Sequence, residues 1–397
     1  MNYNYSDRLK DLGGNAIREI FKLLADPEVI SFAGGFPTKS TLPTKLIADT
    51  TTELMSSDKA LEILQYGATE GYYELRESAI EYLKRYGISN LDIDNTLIIS
   101  GGQQGIDLTF KAFVNKGDVI LVENPTYLAV LHIAKTYEAT VIGVNSDENG
   151  LDLNDLEIKI KQYNPKILYC VPTFSNPTGR TYSVENRKAI AELTAKNNVM
   201  VLEDDPYSEL RFTGERVPSM KSFDKADNIM YMTSFSKTLA PGLRAGIIVG
   251  NKDVIRKLTI GKQAVDVHTC QLSQAIIDNF LRKNLIDSRL QELIPIYREK
   301  KFAMIDAIKK YMPKQFKYTN PDGGLFIWGE FDKELNINTK ELFPLIAKEK
   351  VAYVSGHSFF ASENIFNTLR LNYSNASLEQ IDIGMKLMGD FFKAQIK

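Results

Sequence analysis

Between about residue 70 and residue 250 the chain alternates short, almost wholly apolar runs with longer stretches whose apolar residues recur every three or four positions. A strand covered on both faces has no polar side to present. The runs at 97–99, 119–122, 167–171, 199–202, 229–232 and 247–249, each bounded by polar or turn residues, are therefore predicted as buried strands of a parallel sheet. Leu75, Ala79, Leu83 and Tyr86 keep the spacing of one helix face and stop at Gly87, a residue free to take the left-handed conformation that ends a helix. Ile106, Phe110 and Phe113 mark the next helix in the same way. Strand–helix alternation of this kind predicts an α/β fold with right-handed crossovers.

Near Leu272 the texture changes. Leu272, Ile276, Ile277, Phe280 and Leu281 form one helical stripe, and a long charged helix follows through Pro295, Tyr297 and Lys301, which places a domain junction there. The runs 323–328 and 369–373 predict antiparallel strands of a smaller α+β unit. No internal repeat or low-complexity stretch is present.

Composition narrows the function classes. The 397 residues suggest one large domain and something smaller, and 44% apolar with 25% charged residues is a globular balance. The 48 Lys and Arg against 50 Asp and Glu leave a net charge of −2, with no electrostatic pull toward nucleic acid or a membrane surface. Cys170 and Cys270 lie too far apart for a CxxC site and read as reduced thiols. The first twenty residues carry Asp7, Arg8, Lys10, Asp11, Arg18 and Glu19, which leaves no apolar core for a signal peptide, and no apolar run approaches the ~20 residues of a membrane span. A cytoplasmic protein is expected.

Common cofactor motifs are missing. Gly101-Gly102-Gln103-Gln104-Gly105 lacks GxGxxG spacing, no GxxxxGK[ST] occurs, and His132, His268 and His357 form no HExxH pair, so no metal site is expected. What stands out is polar residues just after the apolar strands, where open parallel sheets place their ligand crevices. Glu203-Asp204-Asp205-Pro206-Tyr207 follows one strand. Thr233-Ser234-Phe235-Ser236-Lys237-Thr238 follows another and runs on to Pro241-Gly242-Leu243-Arg244. Two hydroxyls, a lysine and an arginine so close together suit a phosphate carrying a reactive carbonyl.

With these positions in view, the chain resembles the fold type I pyridoxal-phosphate enzymes, specifically the class I/II aminotransferases near the 2-aminoadipate and kynurenine aminotransferases. The motifs that carry the resemblance are Ser31-Phe32-Ala33-Gly34-Gly35-Phe36-Pro37, Leu64-Gln65-Tyr66-Gly67, Asn124-Pro125-Thr126-Tyr127, Asn176-Pro177-Thr178-Gly179, Glu203 to Tyr207, Ser234 to Lys237 and Leu369 to Tyr373. They occur in family order over nearly the whole length. The resemblance implies a large domain with a mostly parallel seven-stranded sheet between helices and a smaller α+β domain. The division expected is an N-terminal arm with part of the small domain (1–45), the pyridoxal 5'-phosphate domain (46–285) and the small C-terminal domain (286–397).

The same resemblance assigns roles. Lys237 holds the carbonyl carbon of the cofactor and then moves the Cα proton of the substrate. Asp204, selected over Asp205 by the Asp-x-x-Tyr spacing to Tyr207, keeps the ring nitrogen protonated, and Tyr207 and Asn176 bond the phenolic oxygen. The phosphate lies at a helix start, on Gly102 and Gln103, with Ser234, Ser236 and Arg244. Relatives often carry a hydroxyl residue where Gly102 stands, so only its main-chain donor remains. Tyr127 stacks on the ring, Arg370 takes the substrate carboxylate, and Gly35 lets the backbone approach the substrate. Tyr66 reaches the phosphate of a neighbouring subunit, which implies a homodimer. Arg18 matches a mobile arginine that meets acidic substrate side chains, although a solvated helix face explains it equally well.

The activity expected is therefore a ping-pong transamination between an aromatic, aminoadipate-like or aliphatic L-amino acid and a 2-oxo acid such as 2-oxoglutarate. Two alternatives remain open on sequence. One is another reaction of the same cofactor, a cysteine-conjugate β-elimination or a decarboxylation. The other is a ligand-sensing regulator, for which the start of the similarity within about thirty residues of Met1 leaves no DNA-binding domain.

Overall fold

The computed structural model describes residue 3, residues 5–10 and residues 28–396. After β1 (Ile30–Ser31), seven strands form the central sheet: β2 (Thr96–Ile99), β3 (Val119–Asn124), β4 (Thr140–Asn145), β5 (Ile167–Cys170), β6 (Met200–Asp204), β7 (Ile229–Ser234) and β8 (Gly246–Val249). Their spatial order is β2-β8-β7-β6-β5-β3-β4. Both faces are buried. Leu121, Leu168, Cys170, Val201 and Ile229 share one core with Leu156, Ile160 and Ile190 of the helices Leu153–Tyr163 and Val184–Lys196. The alternate residues Ile120, Val122, Ile167, Tyr169 and Leu202 belong to the other core, with Ile106 and Phe110 of the helix Gly102–Phe113. Double coverage explains why these strands read as continuous apolar runs.

Two features differ from the sequence pattern. The run at 247–249 is not a parallel strand, because β8 pairs antiparallel with both β7 and β2. The connection from β7 to β8, residues 235–245, holds only a 3-10 turn, Pro241–Leu243, and is too short for the crossover that a parallel return needs. β4 has no counterpart among the predicted strands. It is an edge strand paired only with β3, and the exposure of Thr140 and the partial exposure of Val141 and Ile142 dilute its apolar signal. Gly87, at φ +79°, does end the helix Tyr73–Leu83 and its 3-10 extension Lys84–Tyr86.

Beyond the helix Gln271–Arg282 comes the 27-residue helix Leu285–Tyr311, which packs along the C-terminal helix Leu378–Gln395. β9 (Phe316–Tyr318), β10 (Phe326–Phe331), β12 (Val354–Ser355) and β13 (Thr368–Asn372) make an antiparallel sheet in the order β12-β13-β10-β9. The remaining strand, β11 (Val351–Ala352), pairs in parallel with β1, so the segment before residue 45 is tied to the C-terminal part of the chain. Among the described residues no helix is long and apolar enough to cross a membrane.

Candidate active site

The carboxyl ends of β6 and β7 and the start of the helix Gly102–Phe113 meet at a cavity of about 160 Å³. It is lined by Gly102, Gln103, Tyr127, Val171, Asn176, Asp204, Pro206, Tyr207, Ser234, Ser236, Lys237 and Arg244. All of these except Val171 and Pro206 were singled out in the sequence. Two clefts of about 580 Å³ lie elsewhere on the surface, but neither is lined by any of the site residues singled out in the sequence. Unsatisfied chemistry, not size, marks the smaller cavity.

Strand alternation separates three consecutive acids. Glu203 accepts from Ser219 Oγ at 2.7 Å and from the amides of Met220 and Lys221, and faces Arg187. Asp205 accepts from Ser208 Oγ and, at 3.0 Å, from Tyr231. Asp204 alone lines the cavity. Its Oδ2 accepts from Tyr169 at 2.7 Å, and among the described residues no donor reaches Oδ1. Burial pushes its pKa up to about 7; the Tyr169 bond opposes the rise and the Asp205 charge adds to it. A buried carboxylate with a spare oxygen and no cation is raised in this way because its charged form is poorly solvated.

Lys237 approaches from the β7 end. Its Nζ donates to the Gly35 carbonyl at 2.9 Å, and burial, followed by the charges of Arg370 and Arg244, lowers its pKa to about 8. Arg370 sits mid-strand in β13, opposite Trp328 and Val354. It donates to Asn176 Oδ1 at 2.8 Å and to the Ala33 carbonyl at 2.6 Å, while its guanidinium lies 4.4 Å from the Phe326 ring centre. Its Nε is buried with no partner, and burial lowers its pKa to about 10. An arginine in so apolar a place, with no carboxylate in contact among the described residues, is set up for an external anion.

The opposite end of the cavity also favours negative charge. Gly101, at φ +89°, turns the chain into the helix, and the amides of Gly102 and Gln103 open it. Among the described residues Arg244 donates only to the carbonyls of Ser100 and Pro241. Ser234 Oγ donates to Ser236 Oγ at 2.7 Å and accepts from the Ser236 amide. Tyr127 precedes the helix Leu128–Thr136, and burial pushes its pKa up to about 12. Burial likewise raises Tyr207, whose ring meets Phe326 edge-on at 5.7 Å.

Other predicted residues lie apart. Tyr66 is 82% exposed and meets the ring of His268 edge-on at 5.8 Å, outside the cavity. Gly35 contributes its carbonyl to Lys237, and a Cβ there would stand 3.1 Å from Phe326. Arg18 lies outside the described residues. No group of three potential metal ligands occurs among the described residues. Sequence reading missed Tyr169 and Phe326. Tyr169 had a readable signal, since a hydroxyl within a wholly buried run needs a partner. Phe326 had none, because its contacts to Gly35, Tyr207 and Arg370 all join distant segments.

Residues 28–386 match the family model for aminotransferase class I and II. The chain is 37% identical to aromatic-amino-acid aminotransferase 1 of Thermococcus litoralis, over 99% of this chain and 95% of that protein. It is 35% identical to the 2-aminoadipate transaminase of Thermus thermophilus, over 96% and 94%. Its fold matches the crystal structure of Pyrococcus horikoshii kynurenine aminotransferase with a TM-score of 0.94 and 36% identity, covering 99% of this chain and 98% of that one.

Proposed function

We propose a transaminase reading whose premise is membership: the chain belongs to the class I and II aminotransferase family. It is a pyridoxal 5'-phosphate-dependent aminotransferase. The finer reading is ping-pong transfer of the amino group of an aromatic, aminoadipate-like or aliphatic L-amino acid to a 2-oxo acid, with 2-oxoglutarate as acceptor. The names of the relatives support the aromatic and aminoadipate-like classes.

The residues present fit the cofactor: among the described residues no donor reaches one Asp204 oxygen and no carboxylate pairs with Arg244, and helix amides open between them. When bound, the group supplies a carbonyl carbon that takes up the amino group and a protonated ring that draws off the electron pair of the Cα–H bond. Asp204 would hold the ring N–H, and that pairing offsets the burial penalty that raises its pKa. Asn176 and Tyr207 would direct hydrogen bonds at the phenolic oxygen, and Tyr127 would cover the ring face. Gly102, Gln103, Ser234, Ser236 and Arg244 would hold the phosphate.

Lys237 would carry the proton to and from the substrate Cα. A pKa near 8 leaves roughly a tenth of the amine neutral at pH 7, against less than about 0.1% for an ordinary lysine, so a base is present without a partner to remove. Arg370 would orient the substrate by its carboxylate. Two of its five N–H groups are engaged by Asn176 and Ala33, and Nε is among those left over. Gly35 would let the substrate pass close to the backbone, and Arg18 would meet an acidic substrate side chain.

The reading includes a homodimer in which Tyr66 reaches the phosphate held by the partner subunit, in keeping with its exposure, and a cytoplasmic location. The domain limits 1–45, 46–285 and 286–397 are part of it, supported by the confinement of the two larger sheets to 96–249 and 316–372.

The observation that carries this function is the convergence of a lone amine and a lone carboxylate on one cavity. Incubation of the holoenzyme with an amino acid alone tests it. Transamination gives one equivalent of 2-oxo acid and a stoichiometric change in cofactor absorbance, whereas sustained release of ammonia or carbon dioxide means elimination or decarboxylation. A donor panel with 2-oxoglutarate, run on wild type and Arg18→Ala, then separates acidic from aromatic preference.

A further inference from the structure

Behind the phosphate end of the cavity lies a part-buried polar cluster that the transaminase reading does not use. Asp266, the last residue of the helix Lys252–Asp266, receives three donors: Ser100 Oγ at 2.8 Å, Gln104 Nε2 at 2.8 Å and Lys262 Nζ at 2.7 Å. Gln104 turns its other atom back, so that its Oε1 accepts from the Ser100 amide at 2.7 Å and from Lys262 Nζ at 3.0 Å. The Lys262 side chain has no solvent exposure.

Ser100 is thereby held at every polar group. Its amide goes to Gln104, its hydroxyl to Asp266, and its carbonyl accepts from Arg244 at 3.2 Å. The residue after it is Gly101, over which the Arg244 guanidinium lies so closely that a Cβ would stand 2.5 Å from Nη2. The two residues after that open the helix with the Gly102 and Gln103 amides. Fixing Ser100 therefore fixes both the direction of those N–H groups and the seat of Arg244.

The segment that follows Asp266 is strained. Val267 has φ +63° and ψ −59°, a conformation costly for a β-branched side chain, and it closes a three-residue turn in which the His268 amide donates to the Asp266 carbonyl at 2.6 Å. Such strain persists only where the surroundings over-determine it, and here the residue after the turn is the buried Thr269, whose Oγ1 lies 3.1 Å from Ser100 Oγ.

We infer that Asp266, Lys262 and Gln104 are positioning residues for the cofactor phosphate: they hold the Ser100–Gly101 turn, and Lys262 neutralises Asp266 so that a dianion is not repelled. The inference rests on the phosphate placement proposed above. Asp266 supplies the anchor and Lys262 makes that anchor tolerable beside a phosphate. Without Asp266 the fully buried Lys262 ammonium keeps only Gln104 Oε1 as an acceptor, and without Lys262 the carboxylate loses the cation that balances it, so each single change leaves a charge less well compensated.

The test compares holoenzyme variants by their dissociation constants for pyridoxal 5'-phosphate and for pyridoxal, which lacks the phosphate, together with the ³¹P resonance of the bound cofactor. Asp266→Ala and Lys262→Met should weaken pyridoxal 5'-phosphate roughly ten- to a hundredfold, the scale of losing an outer-shell partner of a bound group. The ³¹P signal should move toward that of the free cofactor while pyridoxal binding stays within about twofold, which keeps the loss specific to the anion. Asp266→Asn, which keeps an acceptor oxygen for Ser100, should recover part of the loss. Ser100→Ala is the milder variant should the buried-charge changes fail to fold, and it should weaken the phosphate form alone. Equal weakening of both ligands, or no change in Asp266→Ala and Ser100→Ala, overturns the inference. Arg244→Ala separates this failure from that of the premise, because an Arg244→Ala enzyme with undiminished affinity for the phosphate form would refute the phosphate placement itself.

Discussion

Asp204 shows how one side chain can oppose the fold until its ligand arrives. Its folded pKa of about 7 lies above the ordinary 3.8, so the folded cofactor-free protein keeps a proton that the unfolded chain releases. Stability from this group is therefore present at low pH, falls as pH rises from about 4 to about 7, and is level beyond. Asp204→Asn removes that dependence. In the cofactor-free protein its stability relative to wild type should grow between pH 4 and 7, by a few kcal/mol at the order of ~1.4 kcal/mol per unit of pKa. Urea unfolding at pH 5 and pH 8 checks this, and a mutant-to-wild-type difference that does not change with pH would contradict it. The cofactor reverses the sign, since a ring N–H pairs with Asp204 and cannot pair as strongly with Asn.

At the scale of elements, two adjacent glycines at the start of the helix Gly102–Phe113 should behave oppositely. Gly101 combines positive φ with the Arg244 guanidinium where a Cβ would go, so Gly101→Ala should dislodge Arg244 and weaken cofactor binding by roughly tenfold or more, the cost of about 1.4 kcal/mol. A Cβ at Gly102 would stand 3.9 Å from Asp204 Oδ1 and from Met232, ordinary contact distances. Gly102→Ser should therefore bind the cofactor at least as well as wild type, by adding a hydroxyl donor beside the helix start. Equilibrium titration of both variants decides the matter, and equal losses would contradict the geometry. This junction also marks what the sequence could and could not convey. Gly101 to Gln104 after an apolar strand was legible as a helix start, because strand, glycine and helix are consecutive. The burden on Gly101 was not, because Arg244 arrives from another strand's loop. The reversed direction of β8 was readable in principle from its short connection to β7. β4 stayed hidden because an edge strand need not be wholly apolar.

For the whole molecule, the contacts between distant segments were the least legible. The seat of Arg370 combines Ala33, Asn176 and Phe326, which no local pattern links. The exposed Leu61, Leu64 and Tyr66 form the surface that the proposed homodimer would cover. Sedimentation equilibrium should give a dimer. Leu64→Glu should shift it toward monomer and weaken the cofactor, whereas Tyr66→Phe should keep the dimer and lose the worth of a hydrogen bond to a charged group, roughly ten- to a hundredfold in cofactor affinity. A fully active monomer would contradict both expectations.

The central claim concerns a single nitrogen atom, the Nζ of Lys237, among 48 basic residues. Borohydride reduction of the holoenzyme followed by tryptic mass mapping tests it most directly. The account predicts one phosphopyridoxyl group, on the fragment spanning residues 226–244, with cleavage after Lys237 blocked. A label on any other lysine, or none at all, would contradict it.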